Sequence, residues 1–293
     1  MRVGMTQMID GKPGRGVEFV QATAVGMERR GFVSFWGGDH IVFFQKYDSK
    51  YPDGGLGQSG FREDQGLFEP LLTLTAAALA TTELRVGLSV EVLPERNPIV
   101  RARDIATLDN FSNGRFDYGI GIGWAKEEYA ALGVPYERRG ERCDDYMRAM
   151  KSLWTENPST YHGDFVSFEN VVAYPKPVQQ PHPPFLVGGN SRAALRRTAR
   201  LGDGWFGWGI TVPEIDDCLV MLDEELAAVG RDRDDLKMYI GLPFGGPLED
   251  LVAYLTEVEQ RGFEEAVIGA GLSRKRYESQ LDDYALALSR WTR

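Results

Sequence analysis

Residues 84–121 read LRVGLSVEVLPERNPIVRARDIATLDNFSNGRFDYGIG, and the fold turns on how this stretch is parsed. Leu84–Val92 is short, rich in β-formers and without clean polar alternation, which suits a strand covered on both faces. Pro98–Phe111 has helical character and opens on a proline, a residue tolerated in a first helical turn because the N–H it lacks has no partner there. Arg115–Gly121 returns to the pattern of a buried strand. Strand, helix and strand in succession predict parallel strands joined by a covering helix.

The same alternation extends in both directions. Strands are expected at Arg2–Gln7, Phe32–Trp36, Pro184–Gly188, Gly204–Trp208, Met238–Leu242 and Glu265–Gly269, which brings the total to eight. Helices are expected at Val17–Arg30, Pro70–Thr82, Arg142–Trp154, Ser191–Leu201, Pro213–Val229, Pro247–Arg261 and Tyr277–Trp291. Eight strand–helix units in 293 residues predict an α/β fold, a single (β/α)8 TIM barrel domain over residues 1–293. An open doubly wound sheet would want Gly-x-Gly-x-x-Gly after its first strand, and the chain there reads MIDGKPGRG.

Two connections exceed what a barrel needs. Ile41–Gln65, after the second strand, carries Phe43, Phe44, Tyr47, Tyr51 and Phe61 and reads as a lid or substrate wall. Glu156–Pro183, between the fourth and fifth strands, contains YHGDFVSFENVVAYPKP, a hairpin followed by a proline-rich return.

A hydrophobic fraction of 43% with 26% charged residues is that of a globular protein with a sizeable core. The net charge of −10 argues against a nucleic-acid or anionic-membrane partner while leaving room for a local basic pocket. Cys143 and Cys218 are too few for a disulfide scaffold, and the three histidines show no metal-ligand spacing, so no metal is expected. No Gly-x-Ser-x-Gly elbow points to a hydrolase. No signal-like apolar region opens the sequence and no run approaches a membrane span, so a cytoplasmic location is expected.

In such barrels the chemistry lies at the C-terminal ends of the strands. The second strand ends in SFWGGDH, residues 34–40. His40 is a natural acid–base group near neutral pH, and Asp39 either orients it or bonds a cofactor ring N–H. The alternative for the pair is a surface turn, with Asp39 capping a backbone group. The fifth strand ends in VGGNSRAALRRTA, where glycines, a helix N-terminus and Arg192 form a phosphate seat, or else a tight turn with a serine cap and no ligand. GIGIGW, after the fourth strand, suits a flat ring over the strand ends or simply close packing inside the barrel.

SFWGGDH, GLSVEVLPERNPIVRARDIATLDNFSNGRFDYGIGIGWAKEEYAALGV and PFLVGGNSRAALRRTARLGDGW together resemble the bacterial luciferase-like flavin monooxygenase superfamily, most closely its branch that uses coenzyme F420, a deazaflavin. The likeness runs through about Trp208. It implies a (β/α)8 barrel with insertions after strand 2 and between strands 4 and 5, and a homodimer. It also implies Asp39 against the deazaflavin ring and His40 as proton donor. Ser89-Val90 matches the family's non-proline cis peptide behind the ring, with Val92 beside it. Ile122, Gly123 and Trp124 match ring-edge positions, and Gly188, Gly189, Asn190, Ser191 and Arg192 match the phosphate seat. The chain departs from the branch that oxidises glucose 6-phosphate: Trp124 stands where that branch has a catalytic glutamate, and Glu127 at an asparagine position. Phe43, Phe44 and Trp124 thus imply an apolar or aromatic substrate. Two alternatives stay open, an FMN-dependent monooxygenase using O2 on the same barrel and a barrel that binds without turnover.

Overall fold

The computed structural model describes residues 1–7, 14–51 and 66–291. Phe61 lies outside the described residues, as does the rest of the long connection beyond Tyr51 up to Gln65. In chain order the first elements are β1 (Arg2–Thr6), α1 (Val17–Arg29), β2 (Ser34–Gly37), α2 (Pro70–Ala80), β3 (Arg85–Leu88), β4 (Glu91–Val92), a 3-10 turn at Leu93–Glu95 and α3 (Pro98–Phe111). Then come β5 (Phe116–Gly121), α4 (Lys126–Ala131), α5 (Arg139–Thr155) and an antiparallel hairpin of β6 (Ser159–His162) and β7 (Ser167–Val171). The remainder is β8 (Phe185–Gly188), α6 (Arg192–Leu201), β9 (Gly204–Trp208), α7 (Val212–Ala227), β10 (Lys237–Pro243), α8 (Leu248–Gln260), β11 (Glu265–Gly269) and α9 (Tyr277–Trp291).

Eight strands, β1, β2, β3, β5, β8, β9, β10 and β11, pair in parallel and in that order around a circle. β1 pairs with β11 at one side, and Val86↔Phe116 with Gly87↔Asp117 close the ring between β3 and β5. This is the (β/α)8 barrel the alternation predicts, with the hairpin inserted between its fourth and fifth strands. No helix among the described residues is long and apolar enough to cross a membrane.

Local chemistry sets the helix starts. Asn97 accepts hydrogen bonds from the Ile99 and Val100 amides ahead of Pro98, and Thr211 with Glu214 forms a reciprocal capping box on α7. Two departures from the sequence reading matter for the site. The strand expected over Leu84–Val92 is interrupted at Ser89-Val90, so β4 is a separate two-residue piece paired with β5. The six-residue α4 is additional, because so short a helix shows no period to read.

The core has two layers. One fills the space between strands and helices, and the other fills the lumen with Trp36, Leu186, Phe206, Tyr239 and Val267. Trp36 meets Phe206 at 5.2 Å and Tyr239 edge-on at 5.8 Å between ring centroids. Val90 and Trp208 pack onto this plug. A lumen closed by aromatic rings leaves a ligand only the rim, where the strand ends and their loops lie.

Candidate active site

β2 runs out into Asp39 and His40, which take different partners. Asp39 is buried and receives Arg96 Nη2 at 2.7 and 2.8 Å on its two oxygens, with the Val92 amide donating to Oδ2 at 3.2 Å. Behind it Glu91 is fully buried, lies 2.8 Å from Arg101 Nη2 and accepts a hydrogen bond from the Tyr118 hydroxyl. Burial pushes both carboxyls above their ordinary range, opposed chiefly by Arg96 at Asp39 and Arg101 at Glu91. Asp39 does not orient His40 through a hydrogen bond. It ties the end of β2 to β4.

Glu128 is a partner of His40. Its Oε2 lies 2.9 Å from Nδ1, while Oε1 accepts from the Ile41 amide at 2.6 Å and the Val42 amide at 3.4 Å. A carboxylate on Nδ1 makes that nitrogen the donor and leaves the lone pair on Nε2. Glu127, next along α4, accepts from the Asp48 and Ser49 amides at 2.7 and 3.0 Å. The two acidic residues of this first turn thus hold both ends of the 41–49 segment. Sequence reading passed over Glu128; the available signal was a doubled acid, KEE, two residues past GIGIGW.

The held segment builds an aromatic wall on Trp124. Tyr47 lies at 5.0 Å and Tyr51 at 5.7 Å from its ring, His40 at 6.2 Å, and Phe43 at 5.5 Å from His40. Phe44 meets Tyr47 at 5.6 Å, one layer further out. The Trp124 Nε1 atom is buried with no hydrogen-bond partner among the described residues. An orphan donor beside a ring wall is a polar handle for a bound molecule.

The Ser89–Val90 peptide is cis, as the resemblance implies. The Ser89 amide donates to the Gly37 carbonyl at 2.8 Å, and its hydroxyl lies 3.0 Å from that of Thr6. Val90 is received by glycines. A Cβ on Gly121 would come within 2.8 Å of Val90 Cγ2, and one on Gly188 within 2.9 Å of Val90 Cγ1. Val92 stands likewise against Gly123, at 2.7 Å from where its Cβ would be. The glycines of GIGIGW therefore admit the bulge, and Ile122 beside them is half-buried.

At the end of β8, Gly189 has φ +112°, a conformation that excludes side chains. The Asn190 side chain donates to the Trp208 carbonyl at 2.9 Å and accepts from the Trp208 amide at 3.3 Å, fixing the turn to β9. Ser191 caps α6 by accepting from the Ala194 amide at 3.3 Å. The Arg192 guanidinium is drawn to α7, 2.8 Å from both Glu224 and Glu225. What the turn offers a ligand is the open first-turn amides of α6 and their partial positive charge.

The segments around 39, 90, 123 and 189 thus meet at one rim: Asp39 bonds Val92, Val92 stands on Gly123, and Val90 packs on Gly121 and Gly188. An apolar bulge, an orphan indole N–H and a glycine turn opening a helix fit a flat ring carrying a phosphate.

Glu95, in the turn below, belongs to the same neighbourhood. Burial, with Glu128 and Asp39 adding repulsion, pushes its carboxyl up to about 9, and its Oε2 lacks a hydrogen-bond partner among the described residues. A carboxyl raised above its unfolded value stabilises the fold while protonated, and that contribution fades as pH climbs from about 4.5 through 9. Glu95→Gln is therefore expected to unfold at higher urea than the parent at pH 9, by about 2–4 kcal/mol, and to match it near pH 5. Parallel pH–stability curves for the two proteins would refute this.

A family model described as luciferase-like monooxygenase matches residues 1–245. The chain belongs to the luciferase-like monooxygenase family. An uncharacterised Mycobacterium tuberculosis protein is 36% identical over 211 residues, covering 70% of this chain and 72% of that one. The FMNH2-dependent dimethylsulfone monooxygenase of Pseudomonas putida is 32% identical over 206 residues, 68% of this chain and 56% of that protein. Among solved structures, the coenzyme F420-dependent tetrahydromethanopterin reductase of Methanopyrus kandleri superposes with a TM-score of 0.75 at 15% identity, covering 98% of this chain and 97% of that one, which shows the shared fold. Membership makes the chain a luciferase-like oxidoreductase; the dimethylsulfone monooxygenase relative is FMNH2-dependent, and the tetrahydromethanopterin reductase of the same fold is F420-dependent.

Proposed function

We propose that the protein is a deazaflavin-dependent oxidoreductase moving hydride between coenzyme F420 and a small apolar or aromatic substrate. The observation that carries it is His40, held by Glu128 and set against the aromatic wall at the rim where the bulge and the glycine turn meet. When bound, the deazaflavin supplies the carbon that gives or takes hydride. Val90 supports the back of the ring, and Val92 and Ile122 flank it. The first-turn amides of α6 hold the phosphate. His40 moves the proton at Nε2, with Glu128 fixing the tautomer. Trp124, Phe43 and Phe44 shape the substrate space and exclude water.

FMN with O2 is the second reading, favoured by the identity to the dimethylsulfone monooxygenase. Fluorescence titration of the purified protein separates the two. We expect micromolar binding of F420 and binding of FMN weaker by about tenfold or more, a gap of about 1.4 kcal/mol. Micromolar affinity for FMN alone would overturn the deazaflavin reading.

A further inference from the structure

We infer that Glu265 is a positioning residue for the rim: by gaining and losing its proton at the opposite end of the barrel it loosens and tightens Trp36, and through the aromatic plug it shifts the Val90 bulge. Glu265 opens β11, in register with Arg2 of β1 and Tyr239 of β10, so it lies at the end of the lumen away from the site. It is fully buried.

Strands β1, β2, β3, β5 and β10 bring polar groups to the same spot. Glu265 Oε1 accepts from the Ser34 hydroxyl and, at 3.3 Å, from Trp36 Nε1, which also donates to Ser34 Oγ at 2.6 Å. Its Oε2 is buried with no hydrogen-bond partner among the described residues. Arg2 Nη2 stands 3.5 Å from that oxygen and is shared with the Tyr239 hydroxyl at 3.3 Å and Glu264 at 3.8 Å. Arg85 is committed to Asp117, which it grips at 2.6 and 2.7 Å. β1 leaves the space open, since a Cβ on Gly4 would fall 1.8 Å from Ser34 Oγ and 3.0 Å from Glu265 Oε1.

Burial pushes the Glu265 carboxyl up to about 7, with Ser34, Arg2 and Trp36 opposing the rise and Asp117 adding to it. Both protonation states are thus populated near neutral pH, and they hold Trp36 differently. The carboxylate accepts charge-assisted bonds from Ser34 and the indole N–H and attracts Arg2. The acid accepts more weakly and carries its proton on an oxygen without an acceptor.

Trp36 links the two ends. Its ring lies against Gly87, where a Cβ would come within 2.4 Å of Cε3, and belongs to the plug on which Val90 and Trp208 pack. Its carbonyl accepts from the Gln7 amide at 2.9 Å and from the Thr6 hydroxyl at 3.2 Å, and that hydroxyl also meets Ser89. A close-packed interior transmits a shift of such a ring. The coupling belongs to the barrel and is the same whichever ring the rim takes.

The test is NMR of the whole protein without added ligand across neutral pH, following the indole N–H signals of its six tryptophans and the Val90 methyls, with Trp36→Phe to assign Trp36. We expect the Trp36 N–H to move downfield as pH rises, with a midpoint of about 7, and a Val90 methyl to move with the same midpoint. Glu265→Gln should abolish both shifts. It should also unfold at higher urea than the parent at alkaline pH and close to it near pH 5, because a carboxyl raised in the fold contributes stability that fades as pH climbs from about 4.5 through 7. A Trp36 signal that does not titrate, or that still titrates in Glu265→Gln, would overturn the role of Glu265. A Val90 methyl indifferent to pH would overturn the coupling to the rim. Should Glu265→Gln fail to fold, Arg2→Met decides: removing the cation that faces Oε2 should raise the Trp36 midpoint, and an unchanged midpoint would overturn the assignment.

Discussion

His40→Ala is expected to lower turnover by about 10²–10⁴-fold, the range supplied by a positioned proton-transfer group, while changing cofactor affinity only a few-fold. The asymmetry follows from position. The ring of His40 stands at the aromatic wall and is held from behind by Glu128, whereas the bulge at Val90 and the α6 turn, which would carry the cofactor, do not depend on it. Glu128→Gln should have a milder effect, about tenfold down in kcat, because the amide keeps a contact to Nδ1 but holds the ring less firmly than the carboxylate. Equal losses of cofactor affinity and turnover in His40→Ala would instead make His40 a binding residue.

The largest effect on stability is expected at Arg96. Arg96→Met removes the guanidinium that both oxygens of Asp39 share and that lies 3.6 Å from Glu91, leaving two buried carboxylates with one remaining cation, Arg101. Breaking a buried pair by deleting one partner costs about 3–5 kcal/mol, since the orphaned charge stays out of water. Urea unfolding at pH 7 should show a loss of that size. Asp39→Asn in the Arg96→Met background should restore more than half of it, because the charge left behind is then gone. A single variant as stable as its parent would mean that Asp39 is neutral or reached by water.

How much of the site was legible depends on the range of the interaction concerned. His40 and Asp39 stand out because they follow a buried strand directly, and the β8–α6 turn because glycine and serine have conformational uses that neighbouring residues reveal. Their pairing did not stand out. Adjacency in SFWGGDH suggested an Asp–His couple, yet the two residues lie past the end of β2, and their side chains found different partners. The glycines of GIGIGW had two readings from sequence; the bulge at Ser89-Val90 supplies the reason for them, since Val90 and Val92 fill the space their side chains would take.

The sequence by itself determined the barrel, the eight strands and the end of it where chemistry gathers, because hydrophobic period, proline starts and glycine stops act over a few residues and repeat. Tertiary structure alone decided that Glu128 holds His40 across 88 residues of chain, that Arg96 serves Asp39 across 57, and that Trp36 reaches Glu265 across 229. Those contacts depend on how finished elements pack against one another, and a periodic pattern fixes which face of a helix is buried without naming the side chain it will meet.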